Sequence, residues 1–254
     1  MKFASLGSGS DGNALLIAVG RTRVLMDCGF GLQDTLTRLA RLGISAEQLN
    51  GIIVTHEHGD HIRGVARLAR KFGLPVWLTH GTLRSQQQTF SGIPAHEIDS
   101  HRAFAIGDIE ITPYPVPHDA SEPVQFVFGD GARRLGVLTD AGCGTAHIET
   151  MLNGCHALVL ECNHDSAMLA NGDYPYSLKQ RVGGRLGHLN NRDAAAILGR
   201  LDASRLQHLV AAHLSRKNNT AELAVQALSG ALNCAAEWIG VATQQEGFAW
   251  REII

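Results

Sequence analysis

The sequence predicts an α+β fold in which two β-sheets pack face to face with helices outside. Three observations carry this. Short apolar or alternating runs recur along the chain, and stretches of helical spacing lie between them. The β-rich segments also fall into two groups, one early and one central, each followed by helices, an order that suits two layers of sheet covered by helix.

The first strands are Phe3 to Leu6, Ala14 to Val19 and Arg23 to Asp27, separated by glycine-bearing turns as in hairpins. Helical spacing over Gln33 to Leu42 brings the first helix, and the apolar run Ile52 to Val54 the next strand. A helix over Ile62 to Phe72 and a strand over Val76 to Leu78 follow. The second β-rich stretch covers roughly residues 104 to 139, with strands at Ile109 to Tyr114, Val124 to Phe128 and Leu135 to Thr139. Beyond it, helices over Ala146 to Leu152, Arg192 to Leu201 and Ala221 to Leu232 alternate with strands at Leu158 to Leu160 and Leu206 to Ala212. Asn219 and Glu222 are spaced as a capping pair for the last helix. No linker, low-complexity tract or repeat interrupts this order, so residues 1 to 254 are expected to form one domain.

A chain of 254 residues can bury an ample core without a stapling cofactor or disulfide. No run of some 18 apolar residues is present, so no membrane span is expected. MKFASLGSGSDGN lacks the apolar stretch of a secretory leader, and the expectation is a cytoplasmic protein. The five cysteines (Cys28, Cys143, Cys155, Cys162, Cys234) are odd in number and form no C-x-x-C pair. A disulfide framework or a zinc ribbon is therefore not expected, and reduced, mostly buried thiols are. A formal net charge of −2 excludes a broadly basic coat for nucleic acid, which leaves only a local patch for such binding. Thirteen histidines are more than packing requires.

Three of them, with an aspartate, open the chemistry. In His56-Glu57-His58-Gly59-Asp60-His61, directly after Ile52 to Val54, His56 and His58 are two apart and point the same way, so both can reach one ion. Glu57 then faces elsewhere. Gly59 permits a turn that aims Asp60 and His61 at a second position. One H-x-H alone is more often a solvated loop; the full H-x-H-x-D-H after an apolar strand is not. Further ligands are expected at other strand ends, and His118, Asp140 and His213 each follow an apolar run. Taken singly, His118 and His213 read as hydrogen-bonded histidines and Asp140 as a turn residue; taken with the first cluster they read as ligands. His80, His96, His101, His147, His156 and His208 have no motif around them and are expected on the surface or satisfied in the core.

In this order the set resembles the metallo-β-lactamase superfamily over essentially the whole chain. The resemblance implies an αββα sandwich with its site at the open edge between the sheets. It implies that His56, His58 and His118 hold one ion, that Asp60, His61 and His213 hold the other, and that Asp140 bridges them. An aspartate there is usual in the phosphoesterases and thioesterases of the superfamily and unusual in its true β-lactamases. SLGSGSDGNA, VPHDA, LTDAG, ECNHD, GHLNN and HLSRKNNT are similar to phrases of the YycJ/WalJ group of small nucleases, relatives of RNase Z and of the phosphodiesterase PhnP. That group commonly reads GHLSN, and Asn190 replaces the serine here. The resemblance implies a two-metal phosphodiester hydrolase, a DNA exonuclease acting from the 5′ end, with Zn²⁺ first and Mn²⁺ or iron as further ions the same donors accept.

Under this reading Asp60 and His188 are catalytic: Asp60 orients the nucleophile or takes its proton, and His188 protonates the leaving oxygen. Read without the family, His188 is equally a capping residue before Asn191 to Leu201. His164 could line the same cleft or bond to His188. Lys179, Arg181, Arg185 and Arg192 lie around His188 in sequence, and Ser215, Arg216 and Lys217 follow His213; phosphate contact and ordinary solvated helix face are the two readings of these charges. Ser8, Ser10 and Asn13 sit in a glycine-rich turn and either shape it or touch substrate. No obligate protein partner is indicated. The alternatives are a small-molecule hydrolase of the same fold, namely a simple or cyclic phosphodiesterase, a glyoxalase II-like thioesterase or a weak β-lactamase, and, outside the enzymes, a metal-bearing DNA-binding module.

Overall fold

In a computed structural model describing residues 1–254, the early strands build one sheet and the later ones a second. The first sheet takes β1 (Lys2–Gly7), β2 (Ala14–Val19), β3 (Thr22–Met26), β4 (Gly51–Ile53), β5 (Val76–Thr79) and β6 (Ala95–Ile98). The second takes β7 (Phe104–Ile106), β8 (Ile109–Pro115), β9 (Val124–Gly129), β10 (Arg134–Leu138), β11 (Ala157–Glu161), β12 (His208–Ala212) and β13 (Ile239–Val241). β14 (Phe248–Glu252) returns to the first sheet beside β1, giving the orders β14-β1-β2-β3-β4-β5-β6 and β13-β12-β11-β10-β9-β8-β7.

Each sheet begins with antiparallel pairing and continues with parallel pairing: β1 to β3 are antiparallel neighbours and β3 to β6 parallel, while β7 to β10 are antiparallel and β10 to β13 parallel. It follows that β1, β3, β4 and β5 run one way in their sheet, and β8, β10, β11 and β12 one way in theirs. Carboxyl ends of like-directed strands collect at one edge, the usual location of sites in α/β sheets.

The apolar runs are continuous because both faces of the strands are buried. In β2, Leu15 and Ile17 join Phe3, Ile53, Phe126, Phe128 and Val159 between the sheets. Leu16 points the other way, to a layer with Leu25, Ile52, Leu39 and Leu68 under α1 (Leu32–Arg41) and α3 (Val65–Phe72). On the second sheet, Leu138, Leu158, Leu160 and Leu209 pack beneath α5 (Ala146–Leu152), α8 (Asn191–Leu198) and α9 (Ala221–Leu232). No helix is long and apolar enough to cross a membrane.

Some expectations need correction. The helix expected over Ile62 to Phe72 is two, α2 (Gly59–Ile62) and α3, broken at Gly64, whose N–H donates to the Cys28 carbonyl at 2.8 Å; a Cβ there would strike Phe30 O and crowd Cys28. The cap of α9 is Thr220, accepting from Leu223 N, whereas the Asn219 side chain is committed to Cys162 O and Asn191. Strands β6, β13 and β14 were not expected, and β7 opens the expected β-rich stretch; β6, β7 and β13 are edge strands of three or four residues, too short for a run to mark them. The helices α4 (His80–Ser85), α6 (Ser166–Asn171) and α7 (Tyr176–Val182) are likewise short, and α7 buries no residue at all. All five cysteines are free; Cys28, Cys155 and Cys162 are buried, and Cys143 and Cys234 partly so.

Candidate metal centre

The segment after β4 turns sharply, and His58 caps α2 so that His61 comes back beneath His56. The rings of His56, His58 and His118 lie mutually within 4.6–4.9 Å of one another, centre to centre. His118 arrives from the loop after β8, and His213 and Asp140 from the loops after β12 and β10. Asp60, His61 and His213 form a second group, in which Asp60 Oδ2 lies 3.4 Å from Nε2 of both histidines. Asp140 stands between the groups: its Oδ2 is 3.1 Å from His61 Nε2 and its Oδ1 is 3.8 Å from His118 Nε2 and 3.6 Å from His213 Nδ1. The seven expected ligands are thus brought together as two clusters joined by one carboxylate. Glu57 turns away to accept from Ser121.

The backbone is bent to achieve this. Four non-glycine residues have positive φ, and three of them, Asp27 (61°), Asp140 (53°) and His213 (55°), stand just past the ends of β3, β10 and β12. Gly29 is equally constrained, since a Cβ on it would strike the Asp60 carbonyl.

A second ring of groups fixes the tautomers. The buried Asp27 Oδ2 takes His61 Nδ1 at 2.8 Å and the Thr55 hydroxyl at 2.9 Å, and Thr55 Oγ1 in turn lies 2.9 Å from His56 Nδ1. His118 Nδ1 donates to Gly187 O at 3.0 Å. Glu161, fully buried at the end of β11, accepts His188 Nδ1 at 2.8 Å and His213 Nδ1 at 3.0 Å on Oε1, and the N–H groups of Ala141 and Leu189 on Oε2. With Nδ1 occupied, the rings of His56, His61, His118 and His213 present Nε2 lone pairs inward, as ligating histidines do.

The donor set fits divalent cations. His56 Nε2 is buried with no hydrogen-bond partner, a condition that protein interiors seldom tolerate, and the buried Asp140 Oδ2 has only His61 Nε2 beside it, at 3.1 Å. Burial, then the neighbouring His61, hold His56 well below its ordinary pKa, so its lone pair is free. The carboxylates require positive charge. Burial would raise Asp60, but the charge of His61 and hydrogen bonds from His213 and His61 take it well below the carboxylate range. Glu161 is likewise brought down to about 2 by His188 and His213 against its burial. Conversely, burial opposes the protonation of His213, yet Asp140, Asp60 and Glu161 lift it to about 10. In the metal-free protein protons on His61 and His213 stand where cations would.

Other expected contacts are placed differently. His188 does not cap α8; Asn190 does, accepting from Asp193 N, and the His188 ring lies 5.3 Å from His118 and 5.2 Å from His213. Ser8 and Asn13 face inward: Ser8 accepts from His213 N at 2.9 Å, and Asn13 Nδ2 reaches Asp60 Oδ2 at 3.2 Å, so they brace the centre. Ser10 is exposed and makes no side-chain bond. Ser215 is buried and accepts from Asn218 N. Arg216 is paired with Asp11, and Lys217 lies over Tyr174, 5.6 Å from the ring centre. His164 is buried beside the site but bonds Asn163, not His188. Asp27, Glu161 and Asp119 were not singled out from sequence. Asp119 pairs with Arg181 at 2.6 Å and reaches His118 Nε2 at 3.6 Å and His58 Nε2 at 3.8 Å. Asp27 and Glu161 each follow an apolar run, the same signal that marks Asp140.

Residues 22–213 match the model of the beta-lactamase superfamily domain. The exodeoxyribonuclease YycJ of Bacillus anthracis is 35% identical over 91% of this chain and 89% of its own. The exodeoxyribonuclease WalJ of Streptococcus pneumoniae is 31% identical over 94% of this chain and 91% of its own. The crystal structure of the metallo-beta-lactamase fold protein YhfI from Bacillus subtilis shares the fold, with a TM-score of 0.76 over 99% of both chains at 17% identity.

Proposed function

Because the chain belongs to the beta-lactamase superfamily, with metallo-β-lactamase architecture and exodeoxyribonuclease-named relatives along almost its whole length, we propose that it is a two-metal phosphodiester hydrolase that degrades DNA from the 5′ end. A single domain, residues 1 to 254, carries the activity. The observation that supports this best is Asp140, a buried carboxylate set between two histidine groups with an oxygen toward each, the arrangement required to share two cations.

His56, His58 and His118 would hold one ion and Asp60, His61 and His213 the other, with Asp140 shared; the nitrogen-rich set favours Zn²⁺ and admits Mn²⁺ or iron. When bound, such a pair supplies a nucleophilic water at neutral pH and offsets the charge of the phosphate. The protein's own residues do the rest. Asp60, partly exposed and held by Asn13, His61 and His213, orients the nucleophile. His188 is fixed at Nδ1 by Glu161, which raises its pKa above the ordinary value against the effect of burial. Its Nε2 is then a proton donor for the leaving oxygen. Arg181, paired with Asp119 beside His58 and His118, offsets that carboxylate's charge at the rim.

The test is incubation with end-labelled single-stranded and duplex DNA and RNA, beside nitrocefin and S-lactoylglutathione, under Zn²⁺ and Mn²⁺. Mononucleotide release from the 5′ end of DNA is expected. Thioester or lactam turnover without nucleic-acid cleavage overturns the reading.

A further inference from the structure

A second concavity adjoins the centre. A cleft of about 460 Å³ lies between α6 and α7, within the roughly 300–1,000 Å³ range of small-molecule sites. His164, Ser166, Tyr176, Lys179, Gln180 and Asn190 supply its polar lining, and no carboxylate faces it. His164 and Asn190 form its floor as paired backbone segments, and Asn190 is two residues from His188. The cleft and the metal centre share a wall. Tyr176, Lys179, Gln180 and Gly183 present one face of α7 to the cleft, while Arg181, about 140° round the helix from Tyr176, reaches Asp119 at the metal centre. The end of α7 leads directly to the catalytic candidate, for His188 N donates to Val182 O at 2.9 Å.

Two features call for a ligand. Tyr176 is 77% exposed, the most exposed aromatic side chain of the large hydrophobics, and stands at the mouth with no ring against it. His164 is only 2% exposed, and its Nδ1 is directed to Asn163 Oδ1. Its Nε2 has no protein partner and lies beneath Gly183, 3.9 Å from where a Cβ on that residue would stand. A buried acceptor below, amide and hydroxyl groups at the sides and a free aromatic face above match a flat, hydrogen-bonding heterocycle.

We propose that this cleft is a nucleobase subsite. It takes the base of a nucleotide adjoining the hydrolysed phosphodiester, stacked on Tyr176 with its polar edge toward Ser166, Gln180 and His164 Nε2. This deepens the phosphodiesterase reading and rests on it. The absence of carboxylates suits a substrate whose backbone is anionic, and Lys179 adds a positive charge at the rim.

The test couples an enzyme change to a substrate change. Wild type, Tyr176→Ala and Tyr176→Phe, all metal-loaded, are assayed on short oligodeoxynucleotides that are intact or abasic at the first or second position. In wild type, one abasic position should raise KM roughly tenfold with kcat held, the scale of one base–aromatic stack. Tyr176→Ala should raise KM by a similar factor on intact DNA and show no further loss on the abasic substrate, and Tyr176→Phe should restore wild-type behaviour. Effects that multiply, or an unaffected Tyr176→Ala, overturn the subsite. Calorimetry with deoxynucleoside monophosphates separates the two readings. Binding that Tyr176→Ala removes, in a protein that cleaves no oligonucleotide, supports the subsite and refutes the hydrolytic reading; cleavage without any such binding refutes the subsite alone.

Discussion

Exchanging Glu161 for glutamine changes one atom and should disable half of the metal centre. The carboxylate takes Ala141 N at 3.0 Å and Leu189 N at 3.2 Å on Oε2, and His188 Nδ1 at 2.8 Å and His213 Nδ1 at 3.0 Å on Oε1. An amide offers one accepting oxygen and one donating NH₂. The two backbone N–H groups cannot adapt, so the oxygen must stay with them and the NH₂ must meet the imidazoles. Each ring then accepts at Nδ1 and carries its proton on Nε2. In His213 that is the atom 3.4 Å from Asp60 Oδ2, the one needed for coordination. Two charge-assisted bonds at about 1.5–3 kcal/mol each set an upper bound of roughly 3–6 kcal/mol, and measured losses of such supporting partners are about 10–100-fold in affinity or activity. The Asp60–His61–His213 position should therefore lose about 10–100-fold in cation affinity while the His56–His58–His118 position keeps its own. Turnover should fall at least as far, because His188 is released as well. Chelator competition read by metal content gives the two affinities, and circular dichroism checks the fold. Unchanged affinities at both positions with unchanged turnover would refute the tautomer argument.

Asp140→Asn should abolish hydrolysis with little loss of stability, since asparagine tolerates the left-handed backbone at this position; activity above a hundredth of wild type under saturating metal would count against a shared carboxylate. Gly29→Ala should displace the Asp60 carbonyl and lower activity and second-site metal content together, by about tenfold or more, whereas the same change at exposed Gly43 is costly only through its positive φ and should leave metal content alone. The thermal midpoint of the metal-free protein should depend on pH in both directions. His213, raised from 6.5 to about 10, stabilises fully below 6.5 and loses that contribution as pH rises through 10; Glu161, lowered from 4.5 to about 2, stabilises fully above 4.5 and loses it as pH falls through 2. Cations replace the histidine protons, so metal loading should flatten the alkaline decline, and a metal-free midpoint that is level from pH 6 to 10 would contradict the coupling.

Much of this centre was legible because a polar ligand after an apolar strand is an unusual juxtaposition, and the sheet topology converts that local signal into a common edge. His56, His118, Asp140 and His213 were all found by it. Asp27 and Glu161 obey the same rule, but each is followed by a cysteine read as a buried thiol, and in ECNHD the histidine, His164, drew the reading away from Glu161. The basic residues were misleading for the opposite reason. Arg181 and Arg216 cluster with the site in sequence, yet each is spent on an acid, Asp119 and Asp11, that sequence spacing does not connect to it. Edge strands and short surface helices escaped for want of buried residues: α7, which separates the metal centre from the neighbouring cleft, has none.

The strained backbone at Asp27, Asp140 and His213 explains why supporting carboxylates and ligands had to be buried together. A left-handed non-glycine residue costs on the order of 1–3 kcal/mol and persists only where its surroundings over-determine it. At each of these strand ends the chain turns its side chain out of the pleat toward a shared centre; Thr55 and His61 hold Asp27, Glu161 holds His213, and Asp140 meets His61 Nε2 at 3.1 Å. Four carboxylates, Asp27, Asp60, Asp140 and Glu161, thereby converge with six histidines at one edge, most of these groups buried. Such a concentration of negative charge cannot be neutralised by neutral imidazoles. It must bind protons or cations, and the inward Nε2 atoms, fixed by outer partners rather than by one another, select cations whenever they are available.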